Sequence, residues 1–172
     1  QGLGDEYKFH PLFHQFLLHR ASRTYSPRAL DALRSKAAVL VDASGQIEAA
    51  AELWRAASDW PSLEAHLLKH APTLFGQARL PTLEVWLRAL PREALDRNPW
   101  LRYWFAVCRT PFDPSEARLH FEQALRLFQA QSDRVGGLLS WAGIVDTTIH
   151  LGRDFAALDR WIEEFPRIAG SE

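Results

Sequence analysis

A short arrangement of small and large apolar residues recurs along this sequence at an almost fixed distance. That recurrence limits the possible folds more than any single residue does. Within GQIEAAAELWRAASDW, Ala49, Leu53 and Ala56 are spaced four and then three apart. The spacing returns at Leu83, Leu87 and Leu90, at Ala117, Phe121 and Ala124, and in weaker form at Ala157 and Trp161 with Glu164. The starts at 49, 83, 117 and 157 give steps of 34, 34 and 40 residues. Residues three and four apart share one face of a helix. The chain therefore presents one apolar helical stripe per period.

A period of about 34 residues is that of tetratricopeptide units, each a pair of helices. The second helix of such a pair turns a small, a large and a small residue inward, so neighbouring helices approach closely and interlock. The expected fold class is all-α, a tetratricopeptide-like right-handed superhelix of antiparallel helix pairs. No stretch alternates as a strand would, and none is low-complexity.

Turn and cap signals divide the chain accordingly. Residues 1–25 read as a lead segment and one helix, with Pro11 in its first turn and Gln1–Glu6 as a linker or tag remnant. Residues 26–172 read as the repeat domain, with pairs at about 27–59, 60–91, 99–131 and 135–169. Ser26-Pro27 opens the first pair, with Ala29, Leu30, Leu33, Ala37, Leu40 and Val41 as the stripe of its first helix. Gly45 ends that helix. Pro61 follows Ala49 by twelve residues, where tetratricopeptide units place a helix-ending proline. In the second pair Leu63, Leu67, Leu68 and Ala71 point inward, Pro72 predicts a kink or an early end, and Gly76 a turn. One helical turn is expected at Arg92–Asp96. Pro99 opens the third pair, and Asp113 in TPFDP caps its second helix. Gly152 closes the next helix. Asp154 caps the last one, whose stripe is Phe155, Leu158, Trp161, Ile162 and Phe165.

Composition removes several function classes. The 172 residues, 47% of them hydrophobic, suffice for a sizeable core. Twenty basic and 21 acidic residues leave a net charge of −1, without the basic stripe that nucleic acid requires. The single cysteine, Cys108, excludes an internal disulfide framework and a cysteine-based zinc cluster. No apolar run approaches the roughly 18 residues of a membrane span, and no signal-peptide pattern opens the chain. No membrane association and a cytoplasmic location are expected. The absence of Met fits a segment from within a longer protein.

The phrases KFHPLFHQFL, GQIEAAAELWRAASDW, LPREALDRNPWLRYWFAVCRTPFDP, WAGIVDT and LDRWI cover nearly the whole chain. Together they resemble the region C-terminal to the ATPase module in large LuxR-type, MalT-like transcriptional regulators of the signal-transduction ATPase class. The resemblance implies that the HPLF-type sequence closes the winged-helix part of that module. It also implies that the helical repeats serve as sensor and coupling arm. The chain carries no GxxxxGK[ST] phosphate loop and no LuxR-type helix-turn-helix. ATP is therefore expected only in an upstream module, and DNA only through a C-terminal helix-turn-helix. No cofactor is expected in this segment.

Several residues invite a chemical reading. His10 with His14, and His66 with His70, are spaced for two ligands on one helix face. No third ligand is close in sequence, and ordinary surface or interface histidines are the commoner explanation. Cys108 is a candidate nucleophile but sits among Phe105, Ala106 and Val107, as a small buried thiol does. Glu163–Glu164 reads as a solvated face. Trp100, Tyr103 and Trp104 read as core, with a ligand or peptide groove as the alternative.

Repeat register places the first helix of each pair on the concave face. Arg34 and Asp42 come there from the first pair, Arg102 and Arg109 from the third, and Asp146 and His150 from the fourth. Tyr103 joins them from the aromatic cluster. These seven form a candidate groove of mixed charge, against the plainer alternative that they bond to one another or to a neighbouring helix. The sequence points to a non-enzymatic sensor or interaction domain of a regulator. Its partner would be a protein, a second copy or a small-molecule effector. The alternatives are a freestanding repeat adaptor that docks a peptide, and a small all-helical enzyme using Asp146, His150 or Cys108.

Overall fold

The computed structural model of the chain describes residues 10–152 and 156–170, apart from the side chains of His14 and Ala157. The readings that rest on Gln1–Glu6, on the His10–His14 pair, on Ala157 and on Asp154 and Phe155 lie outside the described residues. The rest is all-helical, with no strand among the described residues. The chain divides into two compact units, Gln1–Asp59 and Trp60–Glu172.

The N-terminal unit holds α1 (Pro11–Thr24), α2 (Pro27–Ala43) and α3 (Ile47–Ala56). The Ser26 hydroxyl accepts the Ala29 N–H at 3.3 Å, and Pro27 supplies the preset first φ, so α2 starts where its signals place it. Gly45, at φ 83°, makes the left-handed step that folds α3 back along α2. The inward stripes differ from expectation. Ala50, Ala51 and Trp54 are buried on α3, whereas Ala49 and Ala56 are exposed and Leu53 is half-buried. The helix has turned by one residue because burying the indole of Trp54 removes far more apolar surface than a leucine flanked by alanines. On α2 the buried position is Ala38, while Leu33 and Leu40 face outward.

The C-terminal unit runs from α4 to α10. Helix α4 (Trp60–Gly76) neither stops nor ends early at Pro72. A proline removes only one backbone donor, and the buried Ala71 and Leu74 on either side hold that turn by packing. Ala78 at φ 57°, rather than Gly76, makes the turn into α5 (Leu80–Ala89). Leu83, Leu87 and Leu90 are all buried, joined by Trp86. The connector forms the short helix α6 (Arg92–Arg97).

Asn98 then caps α7 (Pro99–Arg109) by accepting the Trp100 N–H at 3.0 Å, and Asp113 caps α8 (Pro114–Ala130) through the Glu116 N–H at 2.9 Å. Asp133 caps α9 (Arg134–Leu151) through Gly136, and Gly152 at φ 59° closes it. The last helix is α10 (Ala156–Ala169).

Helices α7 to α10 share one core. Ala106, the expected stripe of Ala117 and Phe121, and Leu125, Ile144, Trp161 and Ile168 pack together, and Ala124 is fully buried on the same helix. Two aromatic rings of α8 lie directly on glycines of α9, Phe128 on Gly136 and Phe121 on Gly143. On α10 the buried stripe is narrower than expected. Trp161 and Ile168 are inside, but Ile162 is 63% exposed and Phe165 39%.

The α8–α9 contact yields a test. A Cβ at Gly143 would sit 2.6 Å from the Phe121 ring. Ala in place of a helical Gly ordinarily gains about 1 kcal/mol. Here Gly143→Ala should instead destabilise by roughly 1–3 kcal/mol, because Phe121 must leave its place. Gly76→Ala, which meets nothing within 4 Å, should stabilise by about 0.4–1 kcal/mol. Urea unfolding of the two variants checks the opposite signs.

Candidate functional site

Arg102 is the charged residue around which the third helix pair closes. It lies one turn into α7 and is only 8% exposed. Its Nε donates to the carbonyl of Leu95 at 3.0 Å and its Nη2 to Asp96 at 2.5 Å, both on α6. Its Nη1 donates to Gln123 on α8. A planar guanidinium can hold three acceptors in fixed directions, which an ammonium cannot. One side chain thus ties α6, α7 and α8 together, and its buried charge is satisfied.

Beside it lies a cavity of about 440 Å³, lined by Arg92, Leu95, Asp96, Arg102, His120, Gln123, Arg126 and Leu127. A second cavity of about 530 Å³ shares Arg92, Leu95 and His120 as walls and adds Leu87, Leu90, Arg88, Phe105 and Glu116. The two share these walls and form one trough of two lobes, each with polar and apolar walls. Four arginines line it against two carboxylates. Asp96 is held by Arg102, Arg88 by Glu84 at 2.8 Å, and Glu116 by Arg109 at 2.5 Å. Arg92 and Arg126 are exposed at the rim and make no ion pair among the described residues.

His120 stands where the lobes meet. Its ring meets Phe105 edge to face at 4.8 Å, and its Nδ1 is buried without a hydrogen-bond partner among the described residues. Burial pushes its imidazole below the ordinary histidine range, and the guanidinium of Arg102 adds to that. Glu116 opposes the shift, while Arg88 and Arg109 reinforce it.

The seven groove candidates are not brought into one cavity. Arg102 lines the trough. Tyr103, the next residue, points to the other side of α7, half-buried against Trp100, Trp104 and Phe121, where burial raises its phenol. Arg109 lies two turns along, paired with Glu116 and, at 3.1 Å, with Glu84. Asp146 and His150 sit exposed on α9, 3.4 Å apart, and His150 Nδ1 is 2.9 Å from the Asp146 carbonyl oxygen. Arg34 and Asp42 belong to the N-terminal unit, where Arg34 donates to Asp31 at 2.8 Å.

The aromatic cluster is half-buried, its rings packed on one another and on Phe75, Phe121 and Phe128. Trp100 lies against Phe128 at 4.9 Å, and its indole N–H donates to Asp133 at 3.1 Å. Cys108 is fully buried, and its thiol is pushed up to about 12 by that burial and by Glu84. A thiol held neutral in this way is a poor nucleophile. His66 is buried rather than on the surface, with its ring 4.5 Å from that of His70. Glu163 is exposed, and Glu164 accepts from Arg160 at 3.0 Å.

Sequence reasoning passed over Arg92, His120, Gln123 and Arg126. A signal was present, since His120, Gln123 and Leu127 follow helical spacing on the face of α8 that adjoins the one carrying Ala117, Phe121 and Ala124.

The depressed imidazole fixes the sign of a pH effect. The unfolded chain, with His120 near 6.5, takes up a proton at a higher pH than the folded chain does. The stability contribution of the neutral ring is therefore complete above the unfolded value and declines as pH falls through it toward the lower folded value. Unfolding free energy should drop between pH 7.5 and 5, and His120→Gln should make that drop smaller. Chemical unfolding at the two pH values, wild type against variant, measures the difference.

No protein-family model and no solved structure matches the chain. The chain is similar to proteins named HTH-type transcriptional regulator MalT. With that of Serratia proteamaculans (strain 568) it is 36% identical over 135 residues, which are 76% of this chain and 15% of that protein. With that of Cronobacter sakazakii (strain ATCC BAA-894) it is 38% identical over 98 residues, 57% of this chain and 11% of that protein. The chain therefore spans less than a sixth of the length of these relatives. Its likeness is to one region of a MalT-like regulator.

Proposed function

We propose that this chain is a non-enzymatic sensor and interaction domain of a bacterial LuxR-type, MalT-like transcriptional regulator, residing in the cytoplasm. The observation that carries the reading is the 36% identity to a MalT regulator over 76% of the chain. The helix pairs support it, because the stripes Leu83, Leu87, Leu90 and Ala117, Phe121, Ala124 are buried as a tetratricopeptide-like stack requires. In this reading ATP and DNA are handled by other segments of the longer protein. This segment couples the binding of an effector or partner to the shift between resting and active states.

The alternative of a small enzyme draws little support from its three residues. Cys108 is buried with a raised thiol, and Asp146 and His150 lie exposed on one helix face. The adaptor alternative differs from the leading reading in what surrounds the segment in its gene. Within no helix of the described residues is there a span long and apolar enough to cross a membrane.

A reporter assay tests the proposal. The full gene that encodes this segment should carry a phosphate loop upstream and a helix-turn-helix downstream. In that protein, Arg92→Glu with Arg126→Glu should change promoter output at least severalfold, either locking it on or abolishing induction, without altering DNA affinity in vitro. A gene lacking both flanking modules, or a promoter output indifferent to the trough, would contradict the reading.

A further inference from the structure

The trough in the third helix pair has an electrostatic and steric character that the regulator reading does not specify. We propose that it is a binding site for a small multivalent oxyanion, a phosphate ester or a polycarboxylate. The proposal deepens the sensor reading by naming the class of its effector.

Charge is the first argument. The first lobe holds the guanidinium groups of Arg92, Arg102 and Arg126 against the single carboxylate of Asp96. Asp96 is already engaged by Arg102, and Gln123 accepts from the same guanidinium. Arg92 and Arg126 stand at the rim without an ion pair among the described residues, on different helices that Arg102 fixes relative to one another. Two guanidinium groups that line one recess and make no ion pair among the described residues offer donors to an oxyanion, and arginine forks match carboxylate and phosphate geometry. With a net charge of only −1 for the whole chain, this local excess does not follow from a generally basic surface.

Shape is the second argument. Volumes of about 440 and 530 Å³ fall in the range of small-molecule sites, about 300–1,000 Å³, and below what a folded partner would need. The second lobe offers Leu87, Leu90, Leu95 and Phe105, with the Arg88 guanidinium 5.1 Å over the Phe105 ring.

His120 is the third. It lines both lobes, and its buried Nδ1 has no hydrogen-bond partner among the described residues. The groups facing it are Arg102 and Arg109 from α7, Glu116 from α8, Arg88 from α5 and the rim residue Arg92. Burial first, and then the arginines, which outnumber Glu116, keep the ring neutral at pH 7.5. A bound oxyanion adds negative charge on this side and makes ring protonation easier, so binding takes up a proton and strengthens as pH falls.

Calorimetric titration of the 172-residue chain in low salt tests the inference, with inorganic pyrophosphate and citrate as probes and sucrose as the uncharged control. At least one oxyanion should bind saturably with one-to-one stoichiometry, and sucrose should not bind. Preference for pyrophosphate over citrate, or the reverse, separates a phosphate ester from a polycarboxylate. Arg92→Ala with Arg126→Ala, both exposed and therefore compatible with folding, should weaken binding at least tenfold. Arg28→Ala on the N-terminal unit should leave it unchanged. Affinity should rise between pH 8 and 6 in wild type, and less so in His120→Gln. Absence of saturable binding by either oxyanion would overturn the proposal, as would equal affinity in the double variant. If the trough variants still alter promoter output when no oxyanion binds, the regulator reading stands and only the ligand class fails.

Discussion

The buried guanidinium of Arg102 sets the geometry on which the third helix pair depends. A six-residue helix such as α6 is too short to persist on its own. It is held because Arg102 takes both a backbone carbonyl and a carboxylate from it while reaching Gln123 across α8. Burying a charge is costly unless each donor finds an acceptor, and removing one acceptor exposes that cost. The arrangement is therefore close to all-or-none. Either α6 lies against α7 and α8 and the trough has walls, or Arg102 is stranded. Structure and site rest on the same side chain.

A second constraint acts on the other face of α8. Phe121 and Phe128 need the missing side chains of Gly143 and Gly136 in order to lie against α9. Glycine weakens an isolated helix, so α9 relies on tertiary contact for its stability. The same α8 presents His120, Gln123 and Arg126 to the trough. Packing on one face thus fixes the position of the polar groups on the other. A displacement of α8 at the trough would therefore reach α9 through these two ring–glycine contacts.

Much of the architecture was legible in the sequence. The stripes at 83–90 and 117–124 were visible because leucine and phenylalanine alternate there with charged neighbours, so only one face could be buried. Caps were visible where a side-chain acceptor precedes proline, as at Ser26 and Asp113. The first pair was misread by one residue because Ala49, Ala50 and Ala51 are chemically identical, and only the neighbouring Leu53 and Trp54 could break the tie. Ile162 and Phe165 look inward by period, yet the narrow contact of α10 with α9 buries Trp161 and Ile168 instead. For the site, Arg102 stood out as a polar residue on an inward-facing helix. Its role was hidden because its partners come from α6, a connector whose position no periodicity specifies. His120 and Arg126 looked like the ordinary polar back of an amphipathic helix, and only the placement of α6 turns that back into a wall.

The central claim is that the trough is a ligand site mechanically joined to the helix pair around it. Amide hydrogen exchange of the 172-residue chain, with and without saturating pyrophosphate, tests it most directly. The account predicts slower exchange in α6 and in the trough-facing turns of α8, carried into α9, with α1 and α2 unchanged. Exchange that is unaltered in α6 and α8, or slowed equally in every helix, would contradict it.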